Sequence, residues 1–556
     1  MIFQRLLIRA LILLLPLLAH AAEHAGVATV HPLATAAALK VLHHGGNAVD
    51  ATVAAALTLG VVDGHNSGLG GGCFLLLRLA DAKVIAIDGR EIAPASATKE
   101  MFLRKGQADP NLSQTGALSV GIPGSVAAYE YAIKHFGKLS WTETVLPAAE
   151  LAARGFKLDR SYAGRLAGVA NDMKQFASTR AVFLNPVGQP WKAGETLKQP
   201  ALAASYRALA EQGSDWFYKG AFAAAAGEWM KENGGLITSE DFRNYKLKLR
   251  DPLHTTYRGY EIIGFPPPSS GGVHVAQILN ILERFDLKAM GRNSPDFVHV
   301  VTEAMKLAFA DRAFWLGDPD FASVPRGLVS RTYGARLAKP IRMDRASKIA
   351  NHGTPENAAS DIFSKHTTHF SVADSEGNWA ACTATINTTF GSKVVVPGTG
   401  VVLNNQMDDF SAQPGVANYF GLIGAEANAA APGKRPLSSM SPTLVLKDGK
   451  PILSLGAAGG PTIISQTLLA IIGSIDFGLD PNAALTASRF HHQWLPDELL
   501  IEKSMPRATL DELRRRGHVL KIVDAIGACQ MIGIDERSKT FDAAHDPRVS
   551  GQAGGF

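Results

Sequence analysis

The ten residues Lys365-His366-Thr367-Thr368-His369-Phe370-Ser371-Val372-Ala373-Asp374 constrain this chain more than any other stretch. A polar, basic approach ends at two threonines, and the alternation of a half-buried strand starts immediately after them. The strand pattern from His369 to Asp374 resumes from Trp379 to Ile386 across Ser375-Glu376-Gly377, a three-residue hairpin loop with glycine at its last position. If Asp374 pairs with Asn378, the register sets Thr385 opposite Thr367. Scission of the bond between His366 and Thr367 would give Thr367 a free α-amine within reach of its own hydroxyl, so that one residue holds both base and nucleophile. The polar run from Asp344 to Lys365, rich in Asn and Ser, reads as the accessible loop that such scission requires.

With 556 residues, 46% of them hydrophobic, the chain can bury a large core, and length alone suggests roughly two to four domains. The formal charge of +5 is not gathered into basic runs, which argues against a nucleic-acid partner. Arg5 and Arg9, the apolar run from Ala10 to Leu18 and the closing Ala19-His20-Ala21 form the three parts of a secretory signal peptide. A membrane anchor fits less well, because Arg9 and Pro16 interrupt a run that would have to be about 20 residues long. Cleavage near Ala22 removes two arginines and no acid, lowering the charge from +5 to +3. Cys73, Cys382 and Cys529 share no motif and read as small buried residues.

Pro32 to His44 and Ala48 to Leu59 have helical apolar spacing, and Cys73 to Leu77 and Val84 to Ile87 read as strands, the second followed by a turn at Asp88-Gly89-Arg90-Glu91. The glycines from Gly68 to Gly72 precede a strand, whereas a phosphate-binding loop follows one and opens a helix. From about Pro123 to Leu287 the chain reads as mostly helical, with starts at Pro123, Ser140 and Ser239, and a further helix runs from Val298 to Phe314. A second hairpin, Thr443 to Leu446 and Ile452 to Leu455, turns at Lys447-Asp448-Gly449-Lys450. It runs through Gly456-Ala457-Ala458-Gly459-Gly460-Pro461 into a helix from Thr462 to Ile475, where backbone N–H groups are free to face an anion.

Several stretches together resemble the γ-glutamyltranspeptidase (glutathione hydrolase) family: Gly45-Gly46-Asn47-Ala48-Val49-Asp50, Asp88-Gly89-Arg90-Glu91, Thr367-Thr368-His369, Asn387-Thr388-Thr389-Phe390-Gly391, the run from Leu403 to Phe410, Pro436-Leu437-Ser438-Ser439-Met440-Ser441-Pro442, and Arg489-Phe490-His491-His492-Gln493. The resemblance implies an α+β fold of the N-terminal-nucleophile hydrolase type, a four-layer αββα sandwich. One precursor would be cut into a large subunit (23–366, after a signal peptide at 1–22) and a small subunit (367–556) that stay interleaved, in the periplasm. It implies γ-glutamyl transfer from glutathione and related compounds to water or to an amino acid or peptide, without a metal or organic cofactor.

By the same resemblance, Thr367 is the nucleophile, and in the precursor its hydroxyl attacks the carbonyl of His366. Thr385 is its hydroxyl partner, and Gly459 and Gly460 supply the oxyanion-hole amides. Arg90, with Ser438 and Ser439, would hold the substrate α-carboxylate, and Asn387, Gln406 and Asp409 the α-ammonium. Pro414 to Gly424 stands where the family has a lid, and Phe420 where a tyrosine commonly bonds the Asn387 side chain. That implies a leakier pocket favouring water unless Tyr419 swings in. A glutaryl or cephalosporin acylase is the near alternative, but its substrates lack the ammonium and would leave Asp409 without a partner. An uncleaved amino-acid-binding protein is the alternative from another class. His491-His492 lacks a third ligand at metal spacing and reads as structural.

Overall fold

Strand Gly72–Arg78 shows how this sequence dictates layers. Cys73, Leu75 and Leu77 point into one core and Phe74 and Leu76 into another, all of them buried. A strand apolar on both faces must lie between two layers, which is why it reads as a continuous hydrophobic run. The computed structural model describes residues 22–358, 371–535 and 537–556. Within them an antiparallel seven-stranded sheet runs in the order Gln552–Gly555, Ala25–Thr29, Ser371–Asp374, Trp379–Thr385, Gly72–Arg78, Val84–Gly89, Lys248–Arg250. A six-stranded antiparallel sheet faces it, ordered Phe541–His545, Ala528–Ile534, Lys450–Ala458, Thr443–Lys447, Tyr260–Gly264, Leu253–Tyr257.

Helices Pro32–His43, Ala48–Val62, Ser125–Phe136, Trp141–Arg154 and Pro200–Gln212 pack on the outer face of the first sheet. Helices Gly271–Leu282, Pro295–Trp315 and Thr462–Ile475 cover the second, which completes the αββα sandwich. Ala48–Val62 is buried on every side, and its five alanines allow neighbouring layers to approach closely. In the first sheet Ser371–Asp374 and Trp379–Thr385 sit between Ala25–Thr29 and Gly72–Arg78. Each sheet therefore draws strands from both sides of residue 367, and the expectation of separate domains from length alone does not hold. The pairs Val372↔Ala380 and Ala373↔Trp379 carry the expected hairpin register, and Asp374 N–H donates to Asn378 O at 3.0 Å.

Several boundaries differ from the sequence reading. The helix assigned to start at Pro123 begins at Ser125, and the one assigned to Ser239 is capped by Thr238, whose hydroxyl and Asp241 form a capping box. Ser140 caps its helix as expected, with Glu143 completing the box. Asp88-Gly89-Arg90-Glu91 is not a turn: Asp88 and Gly89 end a strand, and buried Asp88 is paired with Arg250 at 2.6 Å and Arg435 at 3.1 Å. Burial alone would raise the Asp88 carboxyl, but Arg435 and Arg250 hold it down at about 2. The stretch read as helical from 123 to 287 contains the edge strand Leu253–Tyr257 and its inner neighbour Tyr260–Gly264. They turn at Arg258-Gly259, both at positive φ (52° and 84°), the geometry of a tight hairpin. The second hairpin is also tighter than read, with Asp448-Gly449 between Lys447 and Lys450.

The glycine-rich approach to Gly72–Arg78 serves packing. A Cβ on Gly70 or Gly71 would overlap the carbonyls of Val402 and Thr385, and one on Gly72 the Glu91 carboxylate.

Candidate active site

Strand ends from both sheets open onto one cavity of about 480 Å³. Thr385 closes one strand, Arg90 follows Gly89 of a second, and Gly459 follows Ala458 of a third. Arg90, Thr385, Asn387, Gln406, Asp409, Tyr419, Phe420, Ser438, Ser439, Gly459 and Gly460 all line this cavity. They include every residue expected at the site except His366 and Thr367, which lie outside the described residues.

Arg90 is fully buried. Its Nε donates to Pro436 O at 3.1 Å and its Nη2 to Leu437 O at 3.3 Å, so the loop before the serines fixes the plane of the guanidinium. The same Nη2 meets Asp409 Oδ2 at 2.5 Å, and Nη1 stands 3.7 Å from Glu91 Oε2. Ser438 Oγ accepts from Met440 N–H at 3.1 Å and Ser439 Oγ from Arg312 Nη2 at 3.2 Å. Both hydroxyls therefore keep their hydrogens to donate to an anion. Ser438 is anchored by main-chain bonds to the turn Pro266–Gly272: its N–H donates to Pro268 O and its O accepts from Ser270 N–H, both at 2.8 Å.

Among the residues expected to hold the ammonium, Gln406 Nε2 donates to Asp409 Oδ2 at 2.6 Å. Gln406 Oε1 is buried with no hydrogen-bond partner among the described residues. A buried acceptor of this kind is costly unless a donor arrives. Asp409 is not the isolated carboxylate that the sequence argument against an acylase assumed, since Arg90 and Gln406 both hold it. The unsatisfied acceptor beside it is Gln406 Oε1. Asn387 adopts a positive φ of 78°, its N–H donates to Thr385 Oγ1 at 2.8 Å and its Nδ2 to Asn405 O at 3.0 Å. Thr385 Oγ1 thus accepts one bond and keeps its own hydrogen free.

Gly459 and Gly460 both have positive φ, 132° and 59°. Neither N–H has an acceptor among the described residues. Thr462 Oγ1 donates to Gly459 O at 2.7 Å, and Gln466 Nε2 donates to Ala458 O at 3.0 Å, fixing the loop at the start of helix Thr462–Ile475. Two unclaimed amides beside a helix N-terminus suit a developing oxyanion.

The segment Pro414 to Gly424, expected to form a lid, is hydrogen-bonded, though not through the side chain at 420. Tyr419 N–H donates to Asp408 Oδ2 at 3.0 Å, Gln493 Nε2 donates to Phe420 O at 3.1 Å, and Asn418 Oδ1 accepts from Phe420 N–H and Leu422 N–H. The Phe420 ring lies against Gly460 so closely that a Cβ there would stand 2.5 Å from Cδ1. Asp408 is buried and tied to Ser113 Oγ at 2.6 Å, and burial pushes its carboxyl up.

Three residues of this region escape the sequence reading. Arg312, from the last turn of Pro295–Trp315, lines the cavity and is buried. Glu91 is fully buried beside Arg90 with neither carboxylate oxygen hydrogen-bonded, and burial pushes it up to about 7 against the opposing charge of Arg90. Thr383 lines the cavity with an unpartnered buried hydroxyl, and its spacing of two from Thr385 was the signal that could have found it.

Among the described residues His491 and His492 are structural. His491 bonds Ser465 and Gln493, His492 bonds Asp497, and burial pushes His491 down to about 4. A buried His299, Glu303 and His518 group has metal-like spacing, but Lys306 Nζ lies 3.3 Å from Glu303 Oε1 and already supplies the positive charge. The three cysteines are buried and free, and no helix among the described residues is long and apolar enough to cross a membrane.

The solved cephalosporin acylase of Bacillus halodurans superposes with a TM-score of 0.87 at 29% identity, covering 98% of both chains. The solved γ-glutamyltranspeptidase of Helicobacter pylori superposes with a TM-score of 0.56 at 35% identity, covering 63% of this chain and 96% of that one. The glutathione hydrolase proenzyme of Escherichia coli (strain K12) is 44% identical over 530 residues, which is 95% of this chain and 91% of the relative. The family model for γ-glutamyltranspeptidase matches residues 34–556, so this chain belongs to the γ-glutamyltranspeptidase family.

Proposed function

We propose that this protein is an exported γ-glutamyltransferase and glutathione hydrolase, with residues 1–22 as a signal peptide, 23–366 as the large subunit, 367–556 as the small subunit and the periplasm as its compartment. The observation that carries the substrate assignment is the zwitterion-shaped arrangement in one cavity. Arg90, Ser438 and Ser439 offer donors to a carboxylate, while Asp409 and the unpartnered Gln406 Oε1 offer acceptors to an ammonium.

In the precursor, Thr367 Oγ1 attacks the carbonyl carbon of His366, and the peptide bond gives way to an ester that water opens. The freed α-amine has a reference pKa near 8, so a useful fraction is neutral near neutral pH. It takes the hydroxyl proton as Oγ1 attacks the γ-carbonyl of the donor. Negative charge develops on the carbonyl oxygen beside the N–H groups of Gly459 and Gly460. Collapse expels the amine of the leaving group, which takes the proton from the Thr367 ammonium. Water or an amino acid or peptide amine then attacks the γ-glutamyl ester and regenerates Thr367. Thr385 Oγ1, held by Asn387 N–H, orients the nucleophile through its free hydrogen.

The acylase reading is the runner-up, favoured by the fold match to the B. halodurans enzyme. A glutaryl side chain offers no N–H to Gln406 Oε1, so it is the poorer ligand here.

The test is mass spectrometry of the denatured purified protein, together with glutamate release from glutathione. The wild type should give two chains meeting at residue 367 and release glutamate. Thr367→Ala should give one chain and release none. Two chains from Thr367→Ala would refute self-cleavage by this residue, and faster hydrolysis of a glutaryl than of a γ-glutamyl anilide would favour the acylase.

A further inference from the structure

Four arginines line the cavity, and the two that hydrogen-bond within the Pro436–Ser439 segment, Arg90 and Arg312, have different surroundings. Arg90 faces two carboxylates, Asp409 at 2.5 Å and Glu91 at 3.7 Å. Arg312 is 5% exposed, and among the described residues no carboxylate lies within ion-pair distance of it. Its bonds go to neutral hydroxyls: Nε donates to Ser270 Oγ at 2.9 Å and Nη2 to Ser439 Oγ at 3.2 Å. Ser270 Oγ in turn donates to Ser438 O at 2.8 Å. Arg312 therefore reaches both serines of the carboxylate corner, one directly and one through Ser270.

A buried guanidinium without a counter-ion is an expensive thing for a fold to keep, since desolvation opposes its charge and hydroxyl dipoles compensate only in part. Burial pushes Arg312 down to about 10, against the attraction of Asp409. If its task were only to tie Ser270 to Ser439, a neutral donor of similar length could do so without that cost. A cation left unpaired on a cavity wall is instead suited to an anion that comes and goes.

We propose that Arg312 is the second guanidinium of the α-carboxylate subsite. It supplies the positive charge that Asp409 and Glu91 cancel at Arg90, and holds Ser439 Oγ so that its hydrogen points away from Arg312 toward the bound carboxylate. Arg312 is thus a specificity-determining residue that selects donors carrying a free α-carboxylate. The inference rests on the γ-glutamyl reading above.

The test compares γ-glutamyl-p-nitroanilide with 4-aminobutyryl-p-nitroanilide, which lacks only the α-carboxylate. The leaving group has no carboxylate, so any carboxylate effect belongs to the donor's own. Arg312→Gln should raise KM for the γ-glutamyl substrate about 10- to 100-fold, as expected for losing a charged hydrogen-bonding partner, and move kcat much less. For the 4-aminobutyryl substrate kcat/KM should stay within about threefold of wild type, and Arg312→Lys should recover part of the γ-glutamyl loss. An equal loss on both substrates would mean a purely structural role and overturn the proposal. If Arg312→Gln fails to mature into two chains, Arg312→Lys carries the same comparison: a smaller loss confined to the γ-glutamyl substrate supports the proposal, and an equal loss on both refutes it. A wild type inactive on the γ-glutamyl anilide would refute the proposed function itself, an outcome distinct from either.

Discussion

At the carboxylate corner, Arg90, Arg312, Ser438 and Ser439 are all buried, and each is fixed by bonds to main-chain carbonyls or amides or to neighbouring serines. In the expected lid segment, Tyr419 is 54% exposed, Gly415 and Gly421 have positive φ, and the backbone of Tyr419 and Phe420 is bonded to Asp408 and Gln493, while Leu422 N–H bonds Asn418 within the loop. The corner has its polar geometry set before substrate arrives, so substitutions there change transition-state binding directly. The lid has few buried apolar anchors, chiefly Leu422, and belongs to the low-stability end of the fold. The proposed function thus assigns recognition of the donor and exclusion of water to regions of different rigidity.

The sharpest way to break this contrast is Asp409→Asn. In the proposed reading it removes the charge that faces the substrate ammonium, and it unbalances Arg90. Loss of a buried charged partner predicts a fall in kcat/KM of about 100- to 1,000-fold on γ-glutamyl-p-nitroanilide. A fall under tenfold would show that the corner is not the rigid recognition element described.

The next effect is one of stability. Glu91 has a folded pKa raised from 4.5 to about 7 by burial, so the folded state holds this proton more tightly than the unfolded chain. The stability linked to that proton is fully present below about pH 4.5 and is lost as pH rises through about 7, an effect of about 3 kcal/mol at most. Glu91→Gln keeps the shape and removes the titration. Above pH 7 it should denature at a higher temperature or urea concentration than wild type, and the gap should close toward pH 4.5. A gap independent of pH would contradict this account.

The smallest effect is expected at the lid. Phe420→Tyr adds a hydroxyl to a ring that lines the cavity against Gly460, while Asn387 Nδ2 is already engaged by Asn405 O. It should raise the ratio of transfer to hydrolysis with glycylglycine as acceptor by a few-fold, about the worth of one hydrogen bond, while leaving KM for the donor nearly unchanged. An unchanged ratio would remove the lid's side chain from the control of water entry.

Legibility in the sequence followed the range of the forces involved. The capping box at Ser140 and Glu143 and the hairpin at Ser375-Glu376-Gly377 involve residues a few positions apart, and both were readable. Strands Leu253–Tyr257 and Tyr260–Gly264 were missed because they are short and interrupt a long run of helical spacing, and Thr443–Lys447, the partner that sets Tyr260–Gly264 into the sheet, lies far along the chain. The site residues from Arg90 to Gly460 were found through family motifs rather than through periodicity. Arg312 escaped because a basic residue in the last turn of a helix ordinarily faces solvent beside the helix C-terminus.

By itself, then, the sequence determined the local elements, the double-faced strands that demand a layered sandwich, and a threonine junction set in a recognisable order of motifs. Only the tertiary structure decided which charges face one another. Asp409 stands beside Arg90 across 319 positions of chain, and Arg312 beside Ser439 across 127. Electrostatics acts through space, and what turns a surface arginine into a buried cation awaiting an anion is the packing of segments that no local pattern connects.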